Sequence, residues 1–392
     1  MRTKSKTWRM WESCLLVPIL LLLASHSFAA TLYVGSCHAS SYPTISAAVA
    51  AAATPGSLIA VCPGTYPEQV FISQPLTLQG ITSGGGDRAR IIVPANVIGG
   101  GTNWTFVPDP DFISKVAPQI FVNSPSGPVK ISNLTIDGSA EVGAPSACPN
   151  FSSSDWTTTA IFFANTSGTI NEVYTVGQGE NNGCGTGIRA YAAPPITPTV
   201  TISNNSIQGA NSRGLHLEAP SAGASMSVSV TRNTLLVGAL NYGSFAVAYT
   251  GISGTISSNF IQAQGHGVFD EGASGSLTVS GNTVISANGT ISFGGIFGES
   301  TTLPGPETFT GNRVVNYYVG MDLPGSNSTI SSNTIVNSYL AIELACNASA
   351  NLSGNMVNNA QIGMDTIPAG FSAAGKIAFY NVDQIKGTTS CP

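Results

Sequence analysis

The chain has 392 residues, of which only 8% are charged, against about a quarter in a typical soluble protein. Its 14 basic residues are outnumbered by 19 acidic ones, for a net charge of −5. That balance excludes nucleic acid as a partner, because a phosphate backbone is held by clustered Lys and Arg.

At the start, Arg2, Lys4, Lys6 and Arg9 precede an apolar run over residues 15–23 and the small-residue exit Ser27-Phe28-Ala29. This is the pattern of a secretory signal peptide over residues 1–29. The run falls short of the roughly 20 residues that cross a bilayer, so no membrane span is expected. Cleavage after Ala29 removes those four basic residues and Glu12, leaving 10 basic and 18 acidic in an exported, extracellular or cell-surface protein. Six cysteines stay behind, and an even count in an exported chain suggests disulfides. The expected pairing is sequential, Cys37 with Cys62, Cys148 with Cys184 and Cys346 with Cys391, because only neighbouring coils of a solenoid meet.

Residues 42–53 read as a helix, with Ile45, Val49 and Ala52 on one side and Pro55-Gly56 as its stop. Short strands follow at Leu58-Ile59-Ala60-Val61, Val70-Phe71-Ile72 and Leu76-Thr77-Leu78-Gln79-Gly80, with Pro63-Gly64-Thr65-Tyr66 as a turn between the first two. This opening resembles that of the pectin-lyase-like right-handed parallel β-helix proteins. The resemblance implies an N-terminal helix that covers the open end of the coil, where strand edges and core would otherwise be bare. Residues 81–128 and 138–158 break the rhythm with Gly, Pro and Trp and read as insertions on early coils.

From residue 129 a repeat settles. Asn205, Asn233, Asn259, Asn282, Asn312, Asn333 and Asn355 recur at separations of 28, 26, 23, 30, 21 and 22 residues, each at the same point of a short motif, mostly after a small residue and before a β-branched or aliphatic stretch. A period in that range marks a solenoid. Asn accepts the left-handed backbone of a tight corner, and stacked amides can form a ladder, so the column needs no functional explanation. The fold class expected is all-β: a single-stranded right-handed parallel β-helix of roughly ten coils with an N-terminal α-helical cap, residues 30–392 forming one domain.

Each coil also carries a Gly-aliphatic motif, such as Gly214-Leu215-His216-Leu217-Glu218 and Gly267-Val268-Phe269-Asp270-Glu271. Strand alternation points the aliphatic second residue inward and the third and fifth outward. Eight acidic residues lie between positions 187 and 367, and all but Glu307 fall inside these motifs, which predicts an acidic strip on one sheet. Stacked third positions run Arg189, His216, Ala248, Phe269, Phe297, Asp322, Glu343 and Asp365; stacked fifth positions include Glu218, Glu271 and Glu299.

Adjacent strands are about 4.8 Å apart, which sets Glu271 beside Glu299 at roughly the separation of a retaining glycosidase pair. Phe269 and Phe297 would form an apolar shelf for a sugar ring, His216 and Glu218 would flank the substrate, and His266 would adjust the proton balance. Neighbouring glycines leave open whether Asp270 or Glu271 faces out. Asp322, Glu343 and Asp365 form an oxygen-rich column suited to Ca²⁺; no cofactor is required elsewhere.

Gly265-His266-Gly267 resembles an active-site motif of polygalacturonases, although that family's Asn-Thr-Asp, Asp-Asp and Arg-Ile-Lys elements do not occur. The resemblance implies a polysaccharide hydrolase rather than a lyase or esterase. No Arg or Lys lies between Arg232 and Arg313 to serve as the base of a lyase. Two functional classes therefore stand: a secreted, monomeric protein that engages polysaccharide along the strip as a glycoside hydrolase, and a non-catalytic surface or adhesion scaffold.

Overall fold

The computed structural model describes residues 29–82, 88–94, 104–108, 115–124, 126–140, 156–179, 184–238, 244–287, 293–298, 306–323, 328–344, 350–365 and 375–386. The one helix among them spans Ile45–Ala51, shorter than the predicted 42–53. Ser41–Tyr42 pairs instead as a strand with Thr31–Val34, and Thr44 caps the helix through an Oγ1 that accepts the Ala47 N–H at 3.1 Å. Two more unpaired donors at this end are met by the Glu68 carboxylate, which accepts from the N–H groups of Ile45 and Ser46. The buried side chains Ile45, Ala48 and Val49 join the same apolar core as Ile59 and Val61 of Ser57–Val61.

The winding that follows is a parallel β-helix. A representative coil runs Met226–Thr231, Thr234–Val237 and Phe245–Thr250, and the next runs Ile252–Ser257, Phe260–Ala263 and His266–Asp270. First strands stack into a thirteen-stranded sheet; second and third strands stack into a 22-stranded sheet. Pairing is parallel except between Val107–Pro108 and Lys115–Val122. Within the segment read as an insertion at 81–128, Ala89–Ile92 and Lys115–Val122 belong to the sheets, the latter pairing with Trp156–Ala164. No helix among the described residues is long and apolar enough to cross a membrane.

The Asn column is an interior amide ladder. Each member is at most 2% exposed and donates through Nδ2 to the Oδ1 of the next, at 2.9 to 3.0 Å from Asn205 through Asn355. The left-handed residue is not the ladder Asn, as its chemistry had suggested, but the residue before it. Arg232, Ser258, Gly281, Gly311, Ser332 and Gly354 have φ between 54° and 64°. The bend turns the following Asn inward, where its amide meets the backbone of the coil behind and the amide of the coil ahead.

The glycine near the start of most third strands, replaced by Ala246 and Ala341 on two coils, has a steric cause. A Cβ on Gly295 would stand 2.2 Å from Val314 Cγ1 and 2.7 Å from the Gly320 carbonyl oxygen; Gly267 would meet Val284 Cγ1 at 2.2 Å. Both positions point into the core at a corner, and the aliphatic residue that follows points inward too. Gly295→Ala is expected to destabilise the protein by about 1–3 kcal/mol through overpacking, read as a lowered melting temperature.

Of the three predicted disulfides, Cys37–Cys62 is present. Cys184 is also disulfide-bonded. Cys148, Cys346 and Cys391 lie outside the described residues.

Candidate functional site

The register places the third-position column on the outer face of the sheet as the motif spacing implied. Phe162 pairs with Arg189, Arg189 with His216, His216 with Ala248, and Ala248 with Phe269. Phe269 then pairs with Phe297, Phe297 with Asp322, Asp322 with Glu343, and Glu343 with Asp365. One side chain per coil thus faces outward along the helix axis, in line.

Near the Phe162 end of the column the residues form an ionic network. Arg189 donates from Nε and Nη2 to Oε2 of Glu218 at 3.0 and 2.9 Å, and His216 Nε2 engages Oε1 of the same carboxylate. The guanidinium also lies over the Phe162 ring, 5.1 Å from its centroid. Both Glu218 oxygens are therefore occupied, and Glu218 is only 4% exposed. Its contacts are with Arg189 and His216, two further members of the predicted strip or its flank.

The aromatic shelf exists. Phe269 and Phe297 stack at 5.8 Å with rings 16° apart, and Phe245 stacks on Phe269 at 4.2 Å. Yet Phe269 is 6% exposed, packed with Phe245 and Ala248, whereas Phe297 remains half-buried. His266 belongs to this cluster, its ring lying 5.0 to 5.1 Å from Phe245, Phe293 and Phe297. Its Nδ1 accepts the Gly294 N–H at 3.1 Å, and burial lowers its pKa to about 4. That shift favours the neutral imidazole, whose Nδ1 acts as acceptor inside the aromatic cluster. Phe245 and Phe293 escaped the sequence reading; Phe245 sits two residues before Val247, just ahead of the motif.

The ambiguity between Asp270 and Glu271 is resolved. Glu271 is exposed, whereas Asp270 points inward and is 2% exposed, so it cannot reach a polymer on the outer face. Asp270 meets Glu307 and Tyr249 in the interior, accepting the Gly272 N–H at 2.6 Å. Burial, then the neighbouring Asp270 charge, pushes the Glu307 pKa up to about 9, and both carboxyls push the buried Tyr249 hydroxyl up as well. Glu307 was the one acidic residue outside the motifs. Its register with inward-facing Leu277 is the signal that would have placed it inside.

Glu299 lies outside the described residues. Asp322, Glu343 and Asp365 are half-buried and in register, but no group of three His, Cys, Asp or Glu side chains converges as a metal site among the described residues.

No protein-family model matches the chain, and no curated protein matches it by sequence. Its structure aligns with the GH136 lacto-N-biosidase from Eubacterium ramulus at a TM-score of 0.55 and 10% identity, over 91% of this chain and 68% of that one. It aligns with the DFA-IIIase from Arthrobacter chlorophenolicus A6 at a TM-score of 0.51 and 14% identity, over 88% of this chain and 86% of the other. The chain shares its right-handed parallel β-helix fold with these proteins.

Proposed function

We propose that this protein is exported and binds polysaccharide along the outer strip, on the stretch from Phe297 to Asp365. One observation carries the reading: Phe297, Asp322, Glu343 and Asp365 follow one another in register, all outward and half-buried, beside the exposed Glu271. An aromatic ring face and a row of carboxylate acceptors one strand apart offer stacking and hydroxyl-directed hydrogen bonds to successive sugars. At the other end of the same column Arg189, His216 and Glu218 are held together by ionic hydrogen bonds. The lacto-N-biosidase and the DFA-IIIase are named for action on saccharides, which supports the polysaccharide class without fixing the chemistry.

A hydrolase reading through Glu271 and Glu299 belongs to the same face. The inward turn of Asp270 and the neutrality of His266 remove two of its four acid-base members and favour binding over a complete catalytic set.

The test is binding and reducing-sugar release on pectins, alginate and neutral glycans. Phe297→Ala is expected to weaken binding about tenfold, the loss of one stacking contact. If sugar is released, Glu271→Gln with Glu299→Gln should abolish release while leaving binding. No binding to any glycan, or binding indifferent to Phe297→Ala, would favour the scaffold reading instead.

A further inference from the structure

On a different part of the surface, the corner before the last third strands carries a second column of asparagines. Asn316, Asn337, Asn359 and Asn381 occupy it, each with φ between 50° and 64°. Asn337 and Asn359 each donate from Nδ2 to the Oδ1 of the Asn one coil earlier, at 2.9 and 2.7 Å, and both bonds are exposed. The amides of Asn316, Asn337 and Asn359 therefore form a ladder on the outside of the molecule, with one N–H and one lone pair of the inner rung left for solvent, while Asn381 donates to Asn358 Oδ1 at 3.5 Å.

Backbone conformation alone does not account for four asparagines here. The interior ladder has the same left-handed position before each of its members, and this chain fills it with Asn, Arg, Ser or Gly: Asn204, Arg232, Ser258 and Gly281 in succession. Where only φ matters the residue varies; at the outer corner it is Asn on four coils.

Two residues beyond each Asn stands another outward column: Tyr318, Tyr339, Gln361 and Asp383. Its register follows from the adjacent pairs Val319 with Leu340, Leu340 with Ile362 and Ile362 with Gln384. Tyr318 and Tyr339 stack at 4.7 Å with rings 6° apart, and Tyr318 is 45% exposed. Between the asparagines and the Gln361 and Asp383 part of this column runs a groove of ≈ 370 Å³, also lined by Ser338 and Ala360, with the tyrosine pair outside its lining.

We propose that this groove is a binding site for an uncharged glycan chain lying along the helix axis. The rungs advance by one strand spacing, about 4.8 Å, which is comparable to the advance per sugar in an extended glycan, so each sugar meets an equivalent amide. Amides donate to and accept from hydroxyls, the exposed Tyr318 ring stands two residues beyond Asn316 on the neighbouring column, and the Asp383 carboxylate accepts from a diol while repelling polyuronates. The site involves none of the residues assigned to the acidic strip, and it stands or falls separately from that reading.

The test separates ligand binding from corner geometry. Asn337→Gly with Asn359→Gly keeps the left-handed backbone, which Gly adopts freely, and deletes both amides. Cello-, xylo- and manno-hexaose and hexagalacturonate would be titrated against the full chain and this variant, with Tyr318→Ser as a second variant and melting temperatures alongside. Expected are binding of at least one neutral hexasaccharide, weaker or absent binding of hexagalacturonate, and about tenfold or greater loss in the double glycine variant at unchanged melting temperature. A smaller loss in Tyr318→Ser would place the Tyr318 ring beside the ligand. No binding of any neutral hexasaccharide, or equal affinity in wild type and the double glycine variant, overturns the proposal. A response to Phe297→Ala alone would assign the ligand to the strip and equally overturn it.

Discussion

Asn282→Ala should lower stability by roughly 3–5 kcal/mol, among the largest single-site losses the fold can show. The Asn282 side chain takes part in four hydrogen bonds. Its Nδ2 donates to the Ile256 carbonyl and to Asn312 Oδ1, and its Oδ1 accepts the backbone N–H and the Nδ2 of Asn259. Deleting it at 1% exposure leaves the Ile256 carbonyl and the Asn259 N–H dry and unpaired, with a gap too confined for water to repair well. The exposed rung Asn337 makes a fitting control, because water replaces what Asn337→Gly removes. Its cost should stay within about 1 kcal/mol. Thermal midpoints and unfolding rates of the two variants check the contrast, since a long solenoid need not unfold in two states. Equal losses at the two sites would show that the inner amides are not what joins the coils.

The inner ladder was legible because its Asn residues recur at solenoid spacing with nothing else repeated so strictly. What spacing could not show was which of two adjacent residues bends. Both Asn and the small residue before it accept positive φ, and only the direction of the amide decides. The outer column from Arg189 to Asp365 was likewise legible in full, since strand parity and one residue per coil determine it once Val268 and Ile296 are inside. Parity left open whether Asp270 or Glu271 faces out, because flanking glycines can shift the register by one residue, and only burial decides it for Glu271.

Coverage was not legible. Phe269 and His266 face away from the core yet are nearly inaccessible, because outward rings pack on one another across coils in a way that no single strand records. Nor did the motif reveal that Glu218 would be saturated by Arg189 and His216, which are 29 and two residues away and meet only after one further turn of the coil. The exposed asparagine column was hidden by its position. Asn316, Asn337 and Asn359 fall between motifs, where a turn residue draws no notice until the register aligns it.

Glu307→Gln should flatten the dependence of stability on pH. In the unfolded chain Glu307 titrates near its ordinary value of 4.5; in the folded protein, burial first and the Asp270 charge second raise it to about 9. Between those values the folded state holds a proton that the unfolded state has released. Stability from this group is therefore fully present below pH 4.5 and is lost progressively as pH rises toward 9. Each unit contributes about 1.4 kcal/mol, so the decline amounts to several kcal/mol over the window. Asp270 is raised by burial as well, but the Gly272 N–H favours its charged form, which leaves the proton on Glu307. A glutamine keeps the shape and neutrality of the protonated acid and has nothing to lose on alkalinisation. Wild type and Glu307→Gln should thus be close in melting temperature near pH 5 and diverge toward pH 9, with the variant the more stable. The difference between the two curves cancels surface titrations common to both. Parallel curves across that range would mean that the interior carboxyls are not sharing a proton. An inward acid pair would then contribute only its desolvation cost, and Glu307→Gln should raise stability equally at every pH.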